Sequence, residues 1–576
     1  MAHDSRIDPL LVPVLQRKFK SITEEMALTL LRTTRSPILA EARDFVTGIY
    51  DAEGEALEQS DYNPIMGFSL QPSLATVIEY FGDDIAPGDV IFHNDVFGRG
   101  NQLNDIGIIR PVFLGDRLIG WAGCKGHQAD IGGSISGGYD PRVREVWHEG
   151  LRFTPIKVYE RGVLRRDLWN FIAANVRLDM VMQDLKAGIG AAAVGERRFV
   201  ETAKRYGLEV FQAHSRELLD ATERSMRSEI SRIPEGLYEA ESWVMYDGAR
   251  EGVRTKIKVA VVVDGEEITF DFTGTGAQTP GYVNAPASAA AAATMIGLLM
   301  HVNADLPRNA GMARPVHMIF PEGSILNPRF PAATAMGNHL ANQILHAVFQ
   351  ALAKACPERA TAGWCWTLVD ITIATHPATG RKFVDFDFFA NKGGSGGTRG
   401  ADGCDHLGSA MTAGGISGQD PEMYEIQTPN RILMQEYWKD SAGAGQWRGG
   451  YGTHSIYRIG GRDASIVTFG AQVSDEERPF GLFGGRPGTL NRIVHTFPDG
   501  RLSEPRAHDI LLGADGVTVE HWAAGGGGCG DPSLRPAEKV REEVLDELLS
   551  VEKAERDYGV EIDPVSLELR GRQKAG

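Results

Sequence analysis

Excess basic charge, paired cysteines, long apolar runs and phosphate-binding loops are all missing from this chain of 576 residues. Asp and Glu number 76 against 59 Lys and Arg, a net charge of −17 with a pI near 5.4. That balance argues against a nucleic-acid or anionic-membrane partner. The five cysteines (Cys124, Cys356, Cys365, Cys404 and Cys529) form no C-x-x-C pair. Neither a disulfide framework nor a zinc ribbon is expected, and reduced thiols point to the cytoplasm. Nowhere do 18 apolar residues run together, and the opening MAHDSRIDPLL lacks the basic and apolar parts of a signal peptide, so no membrane span or leader is expected. The longest approach, ASAAAAATMIGLLMHV at 287–302, reads as a buried helix. There is no G-x-x-x-x-G-K-[ST] and no G-x-G-x-x-G opening a helix, so nucleotide chemistry would have to come from elsewhere. Internal repeats and low-complexity linkers are also lacking.

Glycine, in contrast, is abundant, with 68 residues in short clusters separated by apolar runs. Such clusters predict tight turns and loops that approach a ligand or another backbone closely. At 62.7 kDa the chain exceeds what one hydrophobic core usually supports. The pattern predicts an α+β protein of several subdomains, with mixed and antiparallel sheets, long helices and a glycine-rich, β-dominated C-terminal part. The divisions expected are an N-terminal α+β subdomain at 1–230, a central α/β subdomain at 231–365, and a glycine-rich β subdomain with a closing charged helix at 366–576. Leu11, Leu15, Phe19, Ile22 and Met26 recur at helical spacing near the N-terminus. A helix is expected near 70–81, and another in AMGNHLANQILHAVFQALAKA, capped at or near Asn338.

The most informative stretch is 93–133, HNDVFGRGNQLNDIGIIRPVFLGDRLIGWAGCKGHQADIGG. Apolar segments at 106–113 and 118–124 flank a Gly-Asp turn, the pattern of an antiparallel hairpin. Centring the turn on Gly115 and Asp116 places Asp105 opposite about residue 126, so QLND and GHQAD emerge at one end with Asp105 and His127 as neighbours. Gln102, Asp105 and His127 could offer three ligand atoms there, with Asp95 and Asp130 orienting the imidazole. Histidine with carboxylate suits zinc or manganese, although an isolated His beside an Asp is more commonly a simple hydrogen-bonded pair. Arg43 and Asp44, just before a predicted strand, more commonly make a salt bridge than a catalytic pair. GGSGG at 393–397 fits G-x-S-x-G, but no helix follows as a nucleophile elbow requires. GGGGCGDP at 525–532 reads as an anion cradle, a setting for Cys529 as nucleophile, or a close-packed glycine loop, the last being favoured.

NDVFGRGNQLNDIGIIRPVF, followed by GHQADIGG, EGLRFTPIKVY, ANVR and GERR, resembles the hydantoinase B family, also found as the C-terminal half of 5-oxoprolinases. The resemblance continues through DFTGTGAQTPGYVNAP, LPRNAG, PEGSILNP, GAGQWRGG, PFGLFGG and GGGGCGDP to DYGV, covering essentially the whole chain. It implies the catalytic B-type subunit of an ATP-dependent cyclic amide hydrolase acting on hydantoins, oxoproline or lactams. An A-type partner would hold ATP and Mg and phosphorylate the substrate carbonyl. The alternatives are a subunit of an ATP-dependent, biotin-independent ketone carboxylase of the acetone or acetophenone type, and a non-catalytic scaffold. The resemblance also implies a divalent metal, zinc or manganese, on Asp105, His127 and Gln102, with His127, Asp95, Asp130 and Asp44 as catalytic or orienting groups. This sequence departs from the family pattern at that point. The usual T-H-L-P-D is Asn101-Gln102-Leu103-Asn104-Asp105, R-H-H-A-D is Gly126-His127-Gln128-Ala129-Asp130, and H-I-P-V-H is Tyr62-Asn63-Pro64-Ile65-Met66. Several imidazoles are thereby replaced, and the substrate pocket is expected to differ accordingly.

Overall fold

The computed structural model describes residues 7–250, 252–303 and 305–572. Residues 1–6, on which part of the expectation of no leader peptide rests, lie outside the described residues. Two compact units are present. The first comprises 1–241, 247–249 and 255–344, and the second 242–246, 250–254 and 345–576. The architecture is α+β with several antiparallel sheets, as the alternation of strand and helix patterns predicts.

The first unit opens with α1 (Leu11–Thr33), whose Leu15, Phe19, Ile22 and Met26 are buried as their spacing demands. α2 (Pro37–Ala40) leads into a seven-stranded sheet. Its strands are β1 (Phe45–Asp51), β2 (Ala56–Gln59), β3 (Val90–His93), β4 (Asp105–Leu114), β5 (Arg117–His127), β6 (Ile156–Glu160) and β7 (Val163–Leu164), in the order β2-β1-β5-β4-β3-β6-β7. α3 (Pro64–Phe81) starts earlier than its apolar periodicity suggests, because Asn63 caps it and Pro64 stands at its first turn. After α4 (Arg166–Asn175), the alanine-rich α5 (Asp179–Tyr206) and α6 (Leu208–Ile230) pack with α1 and the sheet. Phe19, Ile22, Ile49, Val112, Ile119, Phe199 and Phe211 form that core.

The opposite face of the sheet is covered by α3, which buries Leu70, Leu74 and Val77. Burying both faces explains why β4 and β5 are largely inaccessible along their length, and why their few polar side chains must find partners inside. A second sheet follows, formed by β8 (Gly236–Val244), β9 (Thr255–Asp264), β10 (Glu267–Asp271) and β11 (Val316–Ile319), with β10 and β11 parallel. The alanine run forms α7 (Ala287–Leu299), buried as expected and packed on α3. α8 (Ala341–Ala355) carries the chain from the first unit into the second.

The second unit is built on two sheets. One contains β12 (Leu368–Thr375), β13 (Lys382–Phe386), β16 (Arg462–Gly470) and β19 (His508–Leu512). The other contains β14 (Arg431–Tyr437), β15 (Thr453–Arg458), β17 (Arg492–Thr496), β18 (Leu502–Ser503) and β20 (Thr518–Trp522). Leu368, Phe383 and Ile466 from the first sheet share a core with Tyr457, Ile493 and Val519 from the second. The glycine clusters of this unit are packed backbone on backbone. A Cβ on Gly394 would lie 1.9 Å from the Gly450 carbonyl oxygen, and one on Gly526 1.9 Å from that of Ser395. GGGGCGDP is therefore a packing element, with Cys529 buried inside it. Ser395, central to G-x-S-x-G, is buried with its Oγ accepting from the Cys404 N–H.

The closing helix differs from expectation. It is broken into α9 (Ala537–Leu545) and α10 (Val551–Tyr558), because Glu547 adopts a left-handed conformation and Ser550 starts a new cap on Lys553. A short strand pair, β21 (Val560–Ile562) and β22 (Leu569–Arg572), follows. All five cysteines are free. Among the described residues, no helix is long and apolar enough to cross a membrane.

Candidate functional site

The hairpin of β4 and β5 closes with Leu114 opposite Arg117, a register that would bring Asp105 opposite Gly126 if it continued unbroken. A bulge between Val112 and Phe113 shifts the ladder by one residue, so Asp105 pairs with His127. That single irregularity decides the site. Side chains alternate across a strand, and the unshifted register would turn His127 to the face opposite Asp105. As built, His127 Nδ1 lies 2.8 Å from Asp105 Oδ1, with His127 4% and Asp105 0% exposed.

Neighbouring elements complete the centre. The His127 backbone N–H donates to the Asp44 carbonyl at 3.1 Å, where β1 begins. Asn63, the α3 cap residue, donates from Nδ2 to Asp44 Oδ1 at 2.5 Å. Asp44 is thus held by Asn63, while Arg43 turns outward and is exposed. The loop before β4 brings Asn101 and Gln102, and the segment before α8 brings Asn338. Asp105 Oδ2 accepts from Asn338 Nδ2 at 2.7 Å and from Asn101 Nδ2. Asn338 Nδ2 also donates to Gln102 Oε1 at 2.9 Å, and Gln102 Nε2 donates to the Ala335 carbonyl at 2.9 Å. Asn338, expected as a helix cap, has its amide committed here instead, and α8 begins three residues later. Glu149 fixes this segment by accepting from the backbone N–H groups of Thr334 and Ala335. Tyr139 stacks on His127 with centroids 6.1 Å apart, and its hydroxyl lies 3.3 Å from His339 Nε2.

Two positions inward from His127, on the same face, Lys125 is fully buried. Its Nζ donates to Ser69 O (3.0 Å), Ser69 Oγ (3.1 Å), Ser73 Oγ (2.9 Å) and Asn101 Oδ1 (3.1 Å). Burial pushes the Lys125 ammonium down to about 7, with the Asp105 charge opposing. Burial pushes Asp44 up to about 6, partly offset by the His127 charge. His127 is pulled down by burial, but the bond and charge of Asp105, with the charge of Asp44, outweigh this and leave it raised.

The other expected site residues are engaged elsewhere. Asp95 caps a short turn through the Phe97 N–H at 3.1 Å and lies 3.8 Å from Arg152. Asp130 accepts from Arg177 Nη1 at 2.9 Å and from the Arg177 backbone at 2.6 Å. Asn101, Asn338, Lys125, Tyr139 and His339 were missed by sequence reasoning. Lys125 had a signal, a lone charge at i−2 from His127 within an apolar strand. Asn338 had none, lying 233 residues from its partner.

A divalent ion on Asp105, His127 and Gln102 would need lone pairs converging on one point. Gln102 Oε1 is instead aimed at an amide N–H, and both Asp105 oxygens accept from N–H groups. Among the described residues, no group of three or more His, Cys, Asp or Glu side chains is placed to hold a metal. The donor set does not fit the expected ion.

An imidazole oriented by one carboxylate and flanked by a second, at the open end of a hairpin, is an acid–base centre able to carry a proton to or from a bound molecule. The chain belongs to the hydantoinase B/oxoprolinase family, whose model matches residues 8–532. It is 32% identical to the beta chain of caprolactamase from Pseudomonas jessenii, over 97% of each chain. The crystal structure of that ATP-dependent caprolactamase superposes with a TM-score of 0.90, covering 97% of each chain at 31% identity. The B-type subunit of a putative D-/L-hydantoinase from Pseudomonas sp. (strain NS671) is 30% identical over 97% of this chain and 96% of its own. An acetone carboxylase structure matches the fold at a TM-score of 0.90 and 19% identity, covering 96% of this chain and 80% of the other.

Proposed function

We propose that this chain is the catalytic B-type subunit of an ATP-dependent cyclic amide hydrolase, opening a lactam, hydantoin or oxoproline ring. The observation that carries the reading is the Asp105–His127 pair at the strand ends, in a chain 32% identical to one of the caprolactamase chains over nearly its whole length. An A-type partner subunit holds ATP and Mg and transfers a phosphoryl group to the ring carbonyl oxygen. That transfer removes amide resonance and creates a leaving group. Water then adds to the activated carbon. Asp105, bonded to Nδ1, sets the tautomer in which His127 Nε2 is the basic nitrogen that takes the proton of the water. The same imidazolium returns a proton to the ring nitrogen as the C–N bond breaks, and a second water releases phosphate from the acyl phosphate. Asp44, pushed up to about 6, supplies a second group titrating near the operating range. Asp95 and Asp130 shape the surrounding loops. The setting is the cytoplasm, where ATP is available.

The experiment is co-expression with an A-type subunit, followed by measurement of ATP hydrolysis with lactams and hydantoins. Amide-dependent ADP release that disappears in Asp105→Ala is the expected result. ATP turnover with a ketone and bicarbonate, but with no cyclic amide, would replace this reading by the carboxylase one. The acetone carboxylase likeness, at 19% identity, speaks to fold alone.

A further inference from the structure

We propose that Asn338 and Asn101 are positioning residues of the Asp105–His127 centre, their amide N–H groups standing where the family resemblance puts a divalent cation. This rests on the proposed acid–base role of His127 for its kinetic consequence, but not for its structural one.

Hydrogen-bond polarity fixes which way each amide faces. An ammonium group can only donate, and a backbone carbonyl can only accept. Lys125 Nζ, at 3.1 Å from Asn101 Oδ1, therefore turns Asn101 so that its Nδ2 faces Asp105 Oδ2 and, at 3.1 Å, Asn338 Oδ1. At the other end, the Ala335 carbonyl takes Gln102 Nε2, which turns Gln102 Oε1 to Asn338 Nδ2. Asn338 is fixed from both sides, accepting from Asn101 and donating to Gln102 and Asp105. None of these three amides can be flipped without setting donor against donor or acceptor against acceptor.

Asp105 consequently meets N–H groups from Asn101, Asn338 and His127. A buried carboxylate needs such donors or a cation, and it cannot use the same lone pairs for both. The members are 0 to 5% exposed, so solvent does not share the task. Asn338 also ties the segment before α8 to the hairpin, so any displacement of it moves Asp105, and through Asp105 the imidazole.

The test begins with the wild-type chain, co-purified with its partner from medium containing zinc and manganese. Mass spectrometry is expected to find less than one equivalent of either metal, and dialysis against EDTA, followed by assay with Mg2+ and ATP resupplied, to leave the rate unchanged. Asn338→Asp keeps the side-chain shape but exchanges the N–H donor for an acceptor. It is expected to take up Mn2+ or Zn2+ in equilibrium dialysis where wild type does not, an outcome a merely structural role would not produce. The kcat of Asn338→Ala is expected to fall about 10- to 100-fold with little change in KM. One tightly held equivalent of metal in wild type, lost in Asp105→Ala, would overturn the proposal. So would wild-type rates in both Asn338 variants. The metal measurements need no substrate, so failure to find a cyclic amide substrate would remove the proposed function and leave this inference standing. If Asn338→Asp does not fold, the wild-type metal content decides alone.

Discussion

Two regions of the molecule bury a histidine against an aspartate, and they do so for different ends. In the first unit the pair is Asp105 and His127, at the open end of a hairpin. In the second, His495 Nε2 lies 2.6 Å from Asp370 Oδ2, and His521 Nδ1 lies 3.0 Å from Asp387 Oδ2. The distances and the burial are alike. The settings are not. Asp370 sits within β12 and His495 within β17, so this pair links the two sheets of the second unit. Thr468 donates to Asp370, Tyr457 to Asp387, and Tyr424 and Asn430 to the neighbouring Asp385. Phe389, Tyr424, Tyr457 and Val519 are buried in the surrounding core. His495 and His521 stand one residue from the ends of β17 and β20, but both reach across the core between the two sheets to carboxylates carried by β12 and by the residue after β13. His127 instead ends β5, where the segments before β4 and α8 converge. Distance and burial alone do not mark a His–Asp pair as a site of chemistry; its place in the fold and the groups that converge on it do.

His127→Ala provides the largest break of this comparison. It is expected to lower the amide-dependent rate by about 100- to 10,000-fold, the range of a lost acid–base group. Circular dichroism should show the fold retained. His521→Ala is expected to do the reverse. Removing one member of a buried pair costs about 3–5 kcal/mol, measurable in urea unfolding, while the kcat of the protein that remains folded is preserved. Equal loss of rate in the two variants would erase the distinction between the regions.

A pH titration sharpens it further. Burial pushes Asp385 up to about 7, against the bonds from Tyr424 and Asn430. A carboxyl whose folded value lies above its unfolded one stabilises fully below about 4, and that contribution is lost as pH rises through 7. Asp385→Asn should remove this fall, on the order of 4 kcal/mol. Urea midpoints measured from pH 4 to 8 would show it, and a wild-type midpoint that does not fall over that range would contradict it.

The smallest effect concerns glycine. Gly190, within α5, has nothing within 4 Å of a Cβ, so Gly190→Ala should raise stability by about 1 kcal/mol. Gly394→Ala, whose Cβ would meet a carbonyl oxygen at 1.9 Å, should markedly destabilise the second unit. Thermal unfolding of the two variants distinguishes helix glycines from packing glycines.

Much of the site's scaffold was legible because its signals are local. Apolar alternation and a Gly-Asp turn marked the hairpin, and counting from the turn brought Asp105 within one residue of His127. The missing residue is the bulge at Val112 and Phe113, which depends on how the strands pack rather than on a turn signature. Asn63 and Pro64 announced the start of α3 in a pattern that sequence reading could have used. Asn338 had no such signal, since an asparagine before a helix reads as a cap until its partner is seen. The break near Glu547 in the C-terminal helix likewise follows from a left-handed residue that no periodicity reveals.

What the sequence determined by itself is therefore the α+β class, the antiparallel hairpin and the two residue types at its mouth. Each follows from interactions between residues close in the chain, where spacing stands in for distance. The tertiary structure alone decided which amide faces Asp105 and which carboxylates are spent on arginine or a turn. It also decided which buried His–Asp pair stands where loop segments converge and which pairs bridge two sheets through a core. Those outcomes depend on groups that spacing does not bring together, such as Asn338 and Asp105 at 233 residues apart, and on the requirement that every buried donor and acceptor be matched at once.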